Sequence, residues 1–379
     1  MKVTKCVWQF HDKGSELKSV FDYFRFCTNE IIRIGSRKQS TSRFSLHKEL
    51  YLKLRGDFYS KYVLGSLECA ASKLKQHRKA KKKKPDSKIP YVWKNMLRLD
   101  NQSYKISDGY IRIPIRKEQY CFIRLASYVL EQLENTKLGS ITITERKLII
   151  SYSKEVEQQK PVDFLAIDRN LGNITTFDTK NNLAIHNLHR VIKIKERYRY
   201  VKSKFRRNDI RIRKKIFQKY GIKEKNRVHQ LLHSVSKKVV SENKGIILED
   251  IKGIRKLYRM GNGQGKKFRG KMNSWPFYEL QRQVEYKARW LGLPVKYVKA
   301  YGTSSKCAAC GSKMVPEEHR MLFCPCCNVA VDRDINAAKN ILARGMWIVP
   351  DAVQGEAMKQ SKDAEQIVLS QVSSQPTKT

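Results

Sequence analysis

Acidic side chains are scarce in this sequence. Asp and Glu together number 35 against 78 Lys and Arg, which leaves a formal net charge of +43. Self-repulsion on that scale opposes compaction unless a polyanion offsets it. Long apolar runs are missing as well: no stretch reaches about 18 consecutive apolar residues, so no membrane-spanning helix is expected. The first residues, MKVTKCVWQF, hold no apolar run of signal-peptide type. The basic residues are spread along the chain instead of gathered beside an apolar anchor, so a membrane surface is a poor partner. A long nucleic acid is the better one. A disulfide framework is also lacking. Of nine cysteines, Cys6, Cys27, Cys69 and Cys121 are solitary, and the other five crowd between 307 and 327. That distribution points to one metal site in a reducing compartment. No Ser-His-Asp constellation and no internal repeat are legible.

With 379 residues, 41% of them hydrophobic, the chain has room for two or three domains and a sizeable core. Residues 3–10 read as a strand. Leu17, Val20, Phe21, Phe24 and Ile31 then recur at helix spacing, and further helices are expected over 43–55 and 60–78. The basic run HRKAKKKKPDSK reads as an exposed loop or linker. From 91 the texture turns to strands: YVWKNMLRL, YIRIPI and SITITERKLIISYS. In the second of these, Tyr110, Arg112 and Pro114 alternate with Ile111, Ile113 and Ile115, so one sheet face is wet. Strand, helical insert and more strands suggest a β-barrel interrupted by a helical lobe, with a boundary near 158. The second half opens on FLAID, followed by NITTFD and NLAIH as a three-strand meander. A long basic helical region is expected over about 188–240, then the buried strand GIILED. A loop, GNGQGKKFRGK, precedes a helix over about 276–291 that presents Phe277, Leu280, Val284, Ala288 and Leu291 on one face. Strand PVKYV leads to the cysteines, and DRDINAAKNILARG closes as a helix. The tail after 348 reads as disordered.

Against so basic a background, acids at the ends of apolar strands stand out. Asp168 ends FLAID, Glu249 ends GIIL, and Asp334 opens the last helix. A meander, a helical crossover to a further strand and a final acidic helix are the plan of the ribonuclease H fold. In that plan carboxylates converge at the edge of the central sheet. Phosphodiester hydrolysis needs a nucleophilic water and charge stabilisation on two oxygens, which a pair of divalent ions about 3.5–4 Å apart provides. Mg²⁺ prefers oxygen ligands and keeps several waters, so a few carboxylates are sufficient, and Mn²⁺ can substitute. Taken singly, each acid reads as an N-cap, a salt bridge or a solvated turn; the three together read as a metal site. Asp250 and Asp332 are second choices, the former pointing off the opposite strand face from Glu249.

Cys307 and Cys310, then Cys324 and Cys327, have zinc-ribbon spacing, two tight turns that complete a tetrahedron of thiolates. Such a closed site serves folding and not catalysis. Cys326 could replace a neighbour, and His319 is a weaker alternative ligand. Two further patterns are set aside. GNGQGKK lacks the spacing of a phosphate loop. His229 and His233 stand four apart on a helix, but HQLLH has no Glu at its second position, so packing or a phosphate contact explains them better.

The segments AIDRNLGNIT, GIILEDIKGI, SWPFYELQRQVEYKARWLGLPVKYV and TSSKC-x-x-CG followed by FCPCCNVAVDRDINAAKNIL resemble the TnpB family of transposon-encoded RNA-guided DNA endonucleases, relatives of type V CRISPR effectors. They run in the family's order from about 160 to 345, and IDRNLGNIT resembles archaeal members. The resemblance implies an α/β RuvC-like nuclease domain (a ribonuclease H fold) over 159–348, with an inserted zinc ribbon at 303–330. It implies a β-barrel wedge domain at 1–13 and 79–158, interrupted by a helical recognition lobe at 14–78, and a disordered tail at 349–379. It carries the catalytic, Mg²⁺-binding acids onto Asp168, Glu249 and Asp334, and the Zn²⁺ ligands onto Cys307, Cys310, Cys324 and Cys327. The implied partners are a guide RNA from the transposon end and double-stranded target DNA beside a short motif, with the protein a monomer on its RNA in the cytoplasm or nucleoid of a prokaryote. A transposase acting by strand transfer, or an RNA-guided DNA-binding protein without cleavage, are the alternatives. The order Asp, Glu, Asp differs from the Asp-Asp-Glu of cut-and-paste transposases, and no acid is lost.

Overall fold

The computed structural model describes residues 1–205, 210–251, 253 and 265–347. It separates into two compact units, Met1–Glu155 and one that begins at Val156.

The first unit opens on β1 (Lys2–Phe10), continues through α1 (Lys18–Arg37), α2 (Arg43–Leu54) and α3 (Lys61–Lys81), and then turns to strands. These are β2 (Met96–Leu99), β3 (Lys105–Ser107), β4 (Tyr110–Arg116) and β5 (Gln119–Arg124), with the short α4 (Ser127–Leu133), β6 (Lys137–Thr144) and β7 (Lys147–Glu155) completing it. One antiparallel sheet runs β1-β7-β6-β2 and a second runs β3-β4-β5. Gln9 is buried and links them by side chain: its Nε2 donates to the Arg124 carbonyl at 2.7 Å, and its Oε1 accepts from Ala126 N at 2.9 Å. The helices share a core of Cys27, Ile31, Leu46, Val63 and Leu67.

Two strand expectations change here. The run YVWKNMLRL is a strand only from Met96. Val92 instead exchanges both backbone bonds with the Asn29 side chain of α1, at 2.8 and 3.1 Å, so its polar groups are satisfied by a helix and no ladder is needed. The run SITITERKLIISYS is not one strand but the hairpin β6–β7, turning at Glu145 and Arg146.

In the second unit, β8 (Phe164–Arg169), β9 (Asn173–Asp178) and β10 (Leu183–Asn187) form the expected meander. Next come α5 (His189–Ser203), α6 (Ile210–Val240), β11 (Gly245–Asp250), α7 (Lys266–Ser274), α8 (Phe277–Trp290) and β12 (Val295–Lys299). The small strands β13 (Val315–Pro316), β14 (Met321–Cys324) and β15 (Val329–Asp332) precede α9 (Arg333–Met346). The main sheet has the order β10-β9-β8-β11-β12, with β11 parallel to both β8 and β12.

The sheet is covered on both faces, as a parallel pair requires. Leu165, Ile167, Ile246 and Leu248 pack towards Val228 and Leu232 of α6 and Val284 and Ala288 of α8. Phe164, Ala166, Ile247 and Val298 pack against Ala338, Ile341 and Leu342 of α9. Gly345 lets α9 settle on β11, since a Cβ there would stand 2.4 Å from Ile247 Cγ2. Among the described residues, the basic region of 188–240 holds two helices, α5 and α6. The expected loop at 261–271 is helical from Lys266, and its GNGQ portion lies outside the described residues, as does the tail after 347. Leu291 does not join the apolar face of α8; it caps the C-terminus and is 38% exposed, while Gln283 is fully buried and accepts from the Ser236 hydroxyl at 3.2 Å.

Candidate metal sites

Strand parity decides which acids can meet. Side chains alternate along a strand, so Asp168 follows Phe164 and Ala166 onto the α9 face, and Glu249 follows Ile247 onto the same face. β8 and β11 are parallel neighbours, with Ile167 opposite Leu248, which sets the two carboxylates side by side. Asp334 lies in the first turn of α9, the helix covering that face. Three residues distant in sequence thus share one end of one sheet face. Asp250 has the parity of Ile246 and Leu248 and belongs to the other face. Asp332 is the N-cap of α9, its Oδ1 accepting from Asp334 N at 2.8 Å and Ile335 N at 3.2 Å, a sufficient structural role.

Asp168 is 6% exposed and Asp334 is 3% exposed. Burial, then the neighbouring charge of Glu249, push the Asp168 carboxyl up to about 7, and Asp334 adds to the effect. Each acid has a compensating partner. Asn170 Nδ2 donates to Asp168 Oδ2 at 2.7 Å, and Asn173 Nδ2 to Asp334 Oδ2 at 3.3 Å. The Thr303 hydroxyl donates to Glu249 Oε1, and Arg320 is ion-paired with Asp334. On the opposite face of β8, the buried Arg169 guanidinium donates to the Glu249 carbonyl and, at 2.8 Å, to Gln281 Oε1, tying the ends of β8 and β11 together. Two side-chain oxygens on the acid-bearing face, Asn173 Oδ1 and Thr175 Oγ1, are buried without a hydrogen-bond partner. Thr175 stands directly opposite Asp168 in the ladder. A buried carboxylate with raised pKa beside like charges and orphaned oxygens suits a hard cation, whose ligands are oxygens. Sequence reasoning missed Asn173, Thr175, Thr303 and Arg320. The first two lie inside the NITT run, but only the register with β8 reveals which face they take.

The cysteines close more tightly. The thiols of Cys307, Cys310, Cys324 and Cys327 all lie within 4.8 Å of one another, the one such group of possible metal ligands among the described residues. Cys307–Cys327 and Cys310–Cys324 separations are 4.0 and 3.5 Å. Thiolates on a tetrahedral zinc with bonds of about 2.3 Å would be about 3.8 Å apart, so the group could hold a metal such as zinc. The Ser312 hydroxyl and backbone, hydrogen-bonding to Cys310, lower its thiol to about 6, while Cys327, hydrogen-bonded to Cys310, is raised. Cys326 is exposed and His319 occupies a positive-φ turn, and neither joins the group. Two asparagines of α9 anchor this ribbon. Asn336 accepts from Ala308 N at 2.9 Å and donates to the Lys306 carbonyl at 2.7 Å, and Asn340 also donates to Lys306 O. The helix that carries Asp334 is thereby fixed to the first cysteine knuckle.

His229 and His233 face α8: His229 lies 3.5 Å from Glu279, and His233 Nδ1 is 3.3 Å from the Tyr286 hydroxyl. Packing accounts for both.

The fold and parts of the sequence have known counterparts. Residues 277–341 match the family model "Cas12f1-like, TNB domain". The fold is similar to that of the Cas12f1 chain in a cryo-EM structure of a Cas12f1–sgRNA–target DNA complex, with a TM-score of 0.53 and 15% identity, covering 86% of this chain and 82% of that one. The chain therefore shares the fold of that Cas12f1 chain. Over 223 residues it is 34% identical to a TnpB-like protein of Methanocaldococcus jannaschii, a match spanning 55% of this chain and 79% of the relative. It belongs to the TnpB-like family. A shorter match, 29% identity over 118 residues, joins 30% of it to 25% of the CRISPR-associated endodeoxyribonuclease Cas12f1 of Sulfoacidibacillus thermotolerans.

Proposed function

We propose that the protein is an RNA-guided, divalent-metal-dependent DNA endonuclease encoded by a transposon, cleaving target DNA beside a short transposon-adjacent motif. The observation that carries this reading is the convergence of Asp168, Glu249 and Asp334 on the α9 face of a sheet ordered β10-β9-β8-β11-β12. We read this sheet as a RuvC-type ribonuclease H fold. The three carboxylates would hold Mg²⁺, two ions in the fullest case, with Mn²⁺ an acceptable substitute. Bound there, such ions activate water and stabilise charge on the attacking and leaving oxygens.

The chain's own residues supply the rest. Arg169 fixes the Glu249 strand end through its carbonyl, and Thr303 orients the Glu249 carboxylate. Asn170 and Asn173 hold Asp168 and Asp334. The four cysteines would hold a structural Zn²⁺, which with Asn336 and Asn340 sets the start of α9 and so the position of Asp334. The similar Cas12f1 chain was solved with a guide RNA and target DNA, and +43 charges suit a protein that carries both. Guide pairing would supply specificity while the protein holds backbone and reads the adjacent motif. Among the described residues no helix is long and apolar enough to cross a membrane; we place the protein in the cytoplasm or nucleoid of a prokaryote, as a monomer on its RNA. In the first unit, the two sheets would be the barrel-like wedge and α1–α3 the recognition lobe.

The test is Asp168→Asn in the RNA complex purified from cells carrying the native locus. Cleavage of a matched target should fall by at least about a thousandfold, several kcal/mol of lost charge stabilisation, while the amount of RNA copurified is unchanged. Persistent cleavage would remove Asp168 from the site.

A further inference from the structure

The carboxylate site has a second side, along β9. Strand order puts Glu249, on β11, to one side of Asp168 and β9 to the other. Asn173, Thr175 and Phe177 alternate onto one face of β9, and Phe177 packs with the α9 cluster, so Asn173 and Thr175 share the face of the acids. Thr175 stands directly opposite Asp168. Asn173 begins the strand at the acid end, where its carbonyl accepts from Asn170 N at 3.0 Å.

Among the described residues, four buried side-chain polar atoms have no hydrogen-bond partner: Arg169 Nε, Asn173 Oδ1, Thr175 Oγ1 and His186 Nε2. Arg169 and His186 both flank Ile174 in the ladder and so lie on the opposite face. The two orphans left on the acid-bearing face are both oxygens, and both come from β9. Thr175 is fully buried. The Asn173 amide is committed at its other end: a carboxylate only accepts, so Nδ2 is the atom that donates to Asp334 Oδ2, and Oδ1 is the one left over.

Buried polar atoms without partners are costly and call for an explanation. Charge supplies one here. Asp168 and Glu249 lean on the neutral groups Asn170 and Thr303, and Asp334 on Arg320 and Asn173. Three carboxylates thus meet with one guanidinium beside them, and amide and hydroxyl oxygens are donors that a hard cation accepts. We propose that Asn173 Oδ1 is a further ligand of a divalent cation held by Asp168 and Asp334, and that Thr175 Oγ1 holds one of the waters this cation keeps. The proposal rests on the metal-nuclease reading and adds two uncharged β9 side chains to its site.

The probe is Mn²⁺, titrated into full-length protein freed of RNA, with its zinc retained, and followed by electron paramagnetic resonance. Asn173→Ala should weaken Mn²⁺ binding by at least about tenfold, and water-proton couplings should show an additional water on the bound ion. Asn173→Asp keeps the oxygen and should bind at least as tightly as wild type. A residue that only held Asp334 through its N–H would lose affinity there, because two carboxylates would face each other. Thr175→Val removes an unpaired hydroxyl at nearly constant shape, so it should raise the melting temperature of the cation-free protein while weakening Mn²⁺ binding. Wild-type affinity with an unchanged water count in Asn173→Ala, or weakened binding in Asn173→Asp, would overturn the proposal and leave the three acids in place. No Mn²⁺ binding by the wild type, or full binding by Asp168→Asn, would overturn it together with the catalytic reading.

Discussion

The two candidate metal sites of the second unit are built on opposite plans. The cysteine site is closed: four thiols within 4.8 Å of one another, on short strands and turns that bury little else. The carboxylate site is open: its acids come from β8, β11 and α9, and each leans on a different donor, Asn170, Thr303, or Asn173 with Arg320. A closed site can only contribute to folding, whereas an open one keeps ligand positions for a substrate. The open site is therefore expected to cost stability where the closed one adds it. That contrast can be broken or sharpened by experiment.

The largest effect is expected at the closed site. Structural zinc contributes an apparent ~10–16 kcal/mol in small domains, so Cys324→Ser, at a fully buried thiol, should abolish stoichiometric zinc by elemental analysis and lower the melting temperature by many degrees. Cys326→Ser, at an exposed thiol outside the group, should change neither. Equal zinc content in the two variants would undo the ligand assignment.

The open site should show the reverse sign. Without added divalent ions, Asp168 titrates near 7 in the folded chain against an ordinary 3.8. A raised carboxyl pKa favours the folded state fully below the unfolded value, and this advantage is lost as pH rises through the folded value. The Mg²⁺-free protein, with its zinc retained, should thus lose stability between about pH 4 and pH 7, on the order of a few kcal/mol. Asp168→Asn should flatten that part of the profile and raise the melting temperature at pH 8. A destabilised Asn variant would mean that Asp168 is held for folding and not for a cation.

How much of this was readable from sequence differs between the units. In the second, Asp168, Glu249 and Asp334 sit at the ends of short apolar strands or at the first turn of a helix, and these local contexts survive without knowledge of tertiary contacts. The cysteine spacing is likewise local. What stayed hidden depends on register: the partners Thr303 and Arg320, and the orphaned Thr175, are fixed by pairings across the fold that no local pattern encodes. In the first unit the alternation of Ile111, Ile113 and Ile115 gave the buried face, but the make-up of the other face emerged only when β5 brought Tyr120 and Phe122 beside Arg112. Side-chain bonds such as those of Asn29 to Val92 replaced a strand that the composition favoured.

Gly345 sets how tightly α9, and so Asp334, is held against the sheet. Gly345→Ala would drive a methyl group into Ile247; overpacking of this kind costs about 1–3 kcal/mol. The helix should shift, and cleavage should fall further than the lost stability explains. Cleavage tracking stability alone would show that Asp334 tolerates movement of its helix.

Asp332 offers the smallest effect and the finest discrimination, because it lies beside Asp334 and carries the same chemical group. Its Oδ1 caps α9 through Asp334 N and Ile335 N. Asn caps a helix about as well as Asp, whereas losing the cap to Ala costs about 1 kcal/mol. Asp332→Asn should therefore leave melting temperature and cleavage near wild type, and Asp332→Ala should lower the melting temperature by a few degrees while cleavage persists. If the Asn variant were as inactive as Asp168→Asn while equally well folded, Asp332 would be a cation ligand, and the open site would hold four acids where three now account for its geometry.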